Sequence, residues 1–333
     1  VLGFFADTER VSFHWPLPGL VALLPLLPTL LLRWPRWLRV LTWASAGVGL
    51  AAVLGYYAFV SVPDLRARTA AMKWYPSNFA GWDVLADGVR EVREGMPEGT
   101  RIVADNFKVG AELGFALGDA GIEVLEHPVN RQHGRAPQLR LWGLEATGAT
   151  DPGGPVLLVI AASEVEYKHL LLRYHALCRR FGPLPPPRVL NVDHGRTRFL
   201  LFAIDGGTRD PDAACTLPAM AWVDAPVASA RVGGDFRVDG WAFKDGVGIE
   251  RVEVLFDGSV VAEATYGLAS PGVARYWKIS TDPGHPGVGF SAKVALPPGS
   301  GGTHWLGLRL HGRDGSVEDW SEQRIEVLDA AAH

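Results

Sequence analysis

The stretch RIVADNFKVGAELGFAL, Arg101 to Leu117, changes its period halfway along. Arg101 to Asp105 is a short apolar run with β-branched residues, as a buried strand requires, and Lys108 to Leu117 continues at helical spacing. A strand running straight into a helix is the unit from which a helix-covered sheet is built. Asp105 and Asn106 stand at the junction. Both residue types are preferred as helix caps, and the same place, the carboxyl end of a strand, is where open α/β sheets hold ligands.

Outward from this unit the alternation continues. In FAGWDVLADGVREV, Phe79, Trp82, Leu85, Val89 and Val92 recur three or four apart, which predicts an amphipathic helix ended by Gly95, Pro97 and Gly99. Ile122 to Leu125 and Val156 to Ala161 read as further strands, and Ser163 with Glu166 three residues on is a capping box opening a helix to about Phe181. Arg188 to Val192 and Thr197 to Ala203 are joined by DHGR, so they form a hairpin in which Asp193 and His194 are turn residues only. The expectation is an α/β domain over residues 63–210 with a helix-covered sheet.

Ahead of it the chain is oily. Pro16 to Leu32 is uncharged and about the length of a hydrocarbon core, and its prolines are tolerated in a packed membrane bundle, where neighbours satisfy the freed carbonyls. A second uncharged run, Val40 to Val62, carries Tyr56 and Tyr57 near its far end, at headgroup depth. Residues 1–62 are therefore expected to hold two transmembrane helices. Arg33, Arg36 and Arg39 between the runs place that link in the cytoplasm and everything after Val62 on the opposite face, although Arg66, Arg68 and Lys73 reduce the contrast.

Beyond Leu217 the helical period ends. FRVDGWAF, IERVEVLFDG, GFSAKVAL and QRIEVLD alternate apolar and polar residues, and Asp-Gly pairs at 245, 257 and 314 supply tight turns. Residues 217–330 are expected to form an all-β, Ig-like sandwich.

The 333 residues leave room for such a multidomain chain, and a formal net charge of −4 argues against nucleic acid as a partner. Cys178 and Cys215 are the two cysteines; they pair in an oxidising compartment or stay as buried thiols. There is no GxSxG elbow and no P-loop Lys-Ser/Thr, and the ten histidines lack HExxH spacing, so no metal or cofactor is expected.

HWPLPG (His14 to Gly19), NFAGW (Asn78 to Trp82), VADNFKVGAELGFAL (Val103 to Leu117) and NRQHGRAPQLRLW (Asn130 to Trp142), in this order, resemble the C-terminal part of bacterial GT-C glycosyltransferases of the protein mannosyltransferase and aminoarabinose transferase family. The tail, with DGWAFKDGVGIERVEVLFDG, resembles a bacterial immunoglobulin-like module. The first resemblance implies an enzyme of the bacterial inner membrane, its C-terminal domains extracytoplasmic. It moves a sugar from a polyprenyl-phosphate donor to a lipid, glycan or protein acceptor. It also implies a catalytic acidic loop upstream of Val1, so the catalytic residues are expected outside this chain.

What remains is binding. Arg131 and Arg135, with His133 between them, offer forked and ring donors for a phosphate, and Asn130 and Gln132 offer amides for sugar hydroxyls; the competing reading is a loop whose arginines pair with nearby carboxylates. Asp105 and Asn106 are candidates by position, and His14 by its expected depth near a carrier headgroup. A second reading of the whole is a membrane-anchored module that binds glycan or protein without catalysis.

Overall fold

The structure, a computed structural model, describes residues 17–146, 154–206 and 214–328, so His14 lies outside the described residues. The chain divides into two compact units, Val1–Ser61 and Val62–His333.

In the first unit, α1 (Leu17–Leu23), a 3-10 turn (Leu24–Leu26) and α2 (Leu27–Arg33) precede α3 (Arg36–Ser61). Among the described residues one helix, α3, is long and apolar enough to cross a membrane. Its 26 residues reach about 39 Å at 1.5 Å per residue, beyond the roughly 30 Å of a hydrocarbon core. Where two spans were expected, the first run is interrupted. Pro25 lies inside the 3-10 turn and Pro28 in the first turn of α2, and a proline has no N–H to continue the helical ladder. The basic link also shortens, because Arg36 and Arg39 are already helical.

The second unit begins with α4 (Pro63–Ala67), a 3-10 turn (Ser77–Phe79) and α5 (Trp82–Glu94). Then come β1 (Arg101–Ala104), α6 (Phe107–Leu117), β2 (Glu123–Val124), α7 (Pro128–Gln132), α8 (Ala136–Leu141), β3 (Val156–Ala161), α9 (Tyr167–Phe181), β4 (Arg188–Val192) and β5 (Thr197–Ile204). The strands form one sheet in the order β2-β1-β3-β5-β4. β2, β1 and β3 are parallel, while β5 is antiparallel to both its neighbours. β3 is buried on both faces: Leu157, Val159 and Ala161 pack with Leu85 and Val89 of α5 and Val109 and Leu113 of α6, whereas Val156, Leu158 and Ile160 pack with Leu170, Leu171, Tyr174 and Leu177 of α9. A strand covered on both sides reads as an unbroken apolar run, which is why VLLVIA was legible.

One expectation fails at the start of α9. The helix opens after Glu166, and Ser163 sits in a 3-10 turn, where its hydroxyl accepts from the Arg198 N–H instead of capping.

Then follow β6 (Met220–Ala225), β7 (Arg231–Val232), β8 (Asp235–Phe243), β9 (Ile249–Phe256), β10 (Ser259–Glu263), β11 (Thr265–Leu268), α10 (Pro271–Tyr276), β12 (Gly289–Ala295), β13 (Gly302–Gly312), β14 (Val317–Asp319) and β15 (Gln323–Val327). They make a sandwich, with β11-β12-β8-β6 as one sheet and β10-β9-β13-β15-β7, plus β14 beside β13, as the other. At the β9–β10 hairpin Asp257 and Gly258 both take positive φ, as a tight primed turn requires.

The sandwich core is continuous with the α9 face of the α/β sheet: Leu177 and Phe202 belong to the same apolar cluster as Met220, Phe243 and Leu308. Polar links cross the same junction. Cys178 and Cys215 are disulfide-bonded, His175 Nε2 lies 2.8 Å from Asp245, and the Asn191 amide donates to the Asp319 carbonyl.

Candidate functional site

After β1 the chain passes to α6 on one face of the sheet, and after β3 it passes to α9 on the other. The two connections diverge at the carboxyl ends of β1 and β3, and in open α/β sheets a divergence of this kind makes the crevice that receives ligands.

The residues there are polar and buried. Asp105 is fully buried; one carboxylate oxygen takes the Arg173 guanidinium, with Nε at 3.0 Å, and the other lies 3.8 Å from His127 Nε2. The Val129 N–H donates to His127 Nδ1, which fixes the neutral tautomer with its proton on Nε2, toward Asp105. Burial pushes the His127 imidazole below its ordinary value, and the Asp105 charge opposes that in part. Arg173 also donates to the Glu126 carbonyl. Across the crevice Lys108 reaches Glu164 at 2.9 Å and Asn78 at 3.3 Å.

Asn106 caps α6, its side-chain oxygen accepting from the Lys108 and Val109 N–H groups. Two buried polar atoms here, Asp105 Oδ2 and Asn106 Nδ2, have no hydrogen-bond partner among the described residues. An unmatched acceptor and donor at the ligand end of a sheet can take a hydroxyl or amide group.

The arginine-rich segment folds as α7 and α8. Asn130 is buried and acts as a clasp: its oxygen accepts from the Phe107 N–H and its NH2 donates to the Leu125 carbonyl. Arg131 pairs with Glu126 at the surface. His133 lies against the Phe107 ring, 5.5 Å between centroids, and Arg135 over it at 5.9 Å, while also donating to Gln138.

Between α6 and α8 lies a cleft of about 530 Å³. Gly110, Ala111 and Gly114 form its α6 wall, Leu139 and Trp142 its α8 wall, and Arg135, Gln138 and the acidic Asp119 its polar lining. Phe115, Leu141 and Trp142 are 90%, 84% and 60% exposed, an unusual load of apolar surface on two neighbouring elements.

Of the residues expected from sequence, the structure thus brings Asp105 and Asn106 to the crevice and Arg135 to the cleft. It turns Asn130 inward and Arg131 to a surface carboxylate. His127, Arg173, Lys108 and Glu164 were not anticipated. Arg173 left a trace, because it lies three residues after buried Leu170 and four before buried Leu177. A cation on an apolar stripe demands an anion opposite.

No family model matches the chain, and no curated protein matches it. Solved structures similar to it include the fibronectin(III)-like modules of Clostridium thermocellum CbhA, at 18% identity and TM-score 0.22, covering 32% of this chain and 94% of that one. LPMO10B of Micromonospora aurantiaca is 12% identical at TM-score 0.20, covering 29% of this chain and 53% of its own. SGBP-B of the Bacteroides ovatus mixed-linkage glucan utilization locus, solved with a mixed-linkage heptasaccharide, is 12% identical at TM-score 0.17, covering 44% of this chain and 37% of its own. At these TM-scores the likeness carries nothing over to the site.

Proposed function

We propose that this chain belongs to a membrane glycosyltransferase that moves a sugar from a polyprenyl-phosphate carrier to an extracytoplasmic lipid, glycan or protein acceptor, and that the cleft between α6 and α8 receives the carrier. The observation that supports this reading is the make-up of the cleft. A polyprenyl phosphate is an apolar chain ending in an anion; small residues on α6 leave room for the chain, and Arg135 at the edge offers forked donors to the phosphate. The exposed Phe115, Leu141 and Trp142 suit a lipid-facing rim. Two apolar segments, Leu17–Arg33 and α3, cross the bacterial inner membrane in this reading, with Arg33, Arg36 and Arg39 on the cytoplasmic side. The Cys178–Cys215 bond agrees with an extracytoplasmic place for the second unit, since disulfides persist in oxidising compartments.

The test uses the full chain in lipid nanodiscs containing undecaprenyl phosphate. Ala111→Trp, which fills the cleft from an exposed position, and Arg135→Ala should each weaken carrier binding at least tenfold while leaving the melting temperature in place. Unchanged binding in both variants rejects the assignment. A second reading, a membrane-anchored glycan- or protein-binding module without catalysis, draws on the size of the sandwich. Sugar transfer by membranes holding the full-length protein, lost in the same variants, favours the enzyme.

A further inference from the structure

A second cleft, of about 340 Å³, opens where the first turn of α9 meets the four-stranded sheet of the sandwich. Its walls are aromatic and come from distant parts of the sequence: Tyr167 from α9, Trp222 from β6, Trp241 from β8, and Tyr276 and Trp277 at the end of α10. Trp222 and Trp241 are paired across neighbouring strands. Tyr167 lies 5.4 Å from Trp222 and 5.7 Å from Trp277, ring centre to ring centre, and its hydroxyl donates to the Ala221 carbonyl, which pins the ring. Trp277 is buried and holds the floor, whereas Trp222 is 50% and Tyr276 64% exposed. Asp224 stands at the same cleft, its carboxyl pushed up by partial burial and by the Asp239 charge nearby.

Aromatic side chains with this much surface in water, on rigid strands and around a cleft, are costly unless something covers them. A sugar ring offers an apolar face of C–H groups and an edge of hydroxyls. The first suits an aromatic face and the second a carboxylate acceptor, which makes strong charge-assisted hydrogen bonds. The volume falls at the small end of ligand pockets, about 300–1,000 Å³. A quaternary ammonium prefers an aromatic cage. Here two of the rings remain half or more exposed, so they form a walled platform instead.

We propose that the Tyr167–Trp222–Trp241–Tyr276 cleft is a carbohydrate-binding site that stacks one pyranose ring of a glycan, with Asp224 accepting from its hydroxyls. The site is separate from the carrier cleft, because Tyr167 packs on the α9 side of the α/β sheet and α6 on the other. It holds whether the chain is part of a transferase or of a binding protein.

The experiment titrates the full chain, in a detergent without a sugar headgroup, with mannotetraose, cellotetraose and chitotetraose, reading tryptophan fluorescence and binding heat. At least one oligosaccharide should bind saturably, and Trp222→Ala, Tyr276→Ala and Asp224→Asn should each weaken it tenfold or more. These positions are on the surface, so the melting temperature serves as the folding control. No binding by any of the three at millimolar concentration overturns the proposal, as does binding that the variants leave unchanged. Saturable binding of choline at these residues, with none of the oligosaccharides, would also overturn it.

Discussion

His127 illustrates how one buried side chain ties the site to pH. Burial lowers the proton affinity of its imidazole in the folded protein, against the pull of Asp105, so the ring takes up a proton more readily once unfolded. The unfolded state therefore binds more protons below the ordinary imidazole value of 6.5, so stability is complete above that pH and declines as pH falls below it. Urea denaturation between pH 7.5 and 5 should show this decline in the natural protein and a shallower one in His127→Gln. Equal slopes would mean that other groups set the acid limb. Asp193 shows the opposite limit of sequence reading. Taken as a turn residue, it does stand in the β4–β5 turn with positive φ, yet it also accepts from buried Arg66 and from the Tyr75 hydroxyl at 2.6 and 2.7 Å. Neither partner is near it in sequence.

The element that governs both candidate sites in the α/β part is α6. Its N-terminus sits on the Asn106 cap beside the crevice, and its small residues form one wall of the cleft. Gly110 also faces the sheet, where a Cβ would stand 2.6 Å from a methyl of buried Val124. Gly110→Ala should therefore force α6 away from β2 and cost about 1–3 kcal/mol, as overpacked cores do. A denaturation midpoint equal to that of the natural protein would show that the contact relaxes freely. The start of α6 was legible because cap, period and strand agree locally. α9 was displaced by a few residues because Ser163, a good local cap, has a long-range partner in the Arg198 N–H. The arginine-rich segment was legible as polar but not as structure, since Asn130 and Arg131 look alike in sequence and only packing turns one inward.

On the scale of the molecule, the α/β sheet and the sandwich share an apolar core and a covalent link. The Cys178–Cys215 bond closes a separation of 37 residues, and chain-entropy arguments give such a loop about 4 kcal/mol of stabilisation. Replacing both cysteines with serine should lower the unfolding free energy by about that amount. In cells, the two thiols should react with a maleimide only after reduction. Ready alkylation without reductant would remove a main support for the extracytoplasmic placement.

The sequence alone determined what depends on near neighbours: the apolar helix α3, the wholly apolar strand β3, the Asp-Gly turns and the change from helical to alternating period past Leu217, while at Asp105-Asn106 it offered a cap without deciding which residue or whether a ligand site stood there instead. Periodicity and capping act within a few residues, so one strand of text records them. Only the tertiary structure decided that Cys178 joins Cys215, that Arg173 and His127 meet Asp105, and that Tyr167 completes a cleft with Trp222, Trp241 and Tyr276. Those contacts come from burying faces against one another, and burial is selective about area and shape but indifferent to distance along the chain.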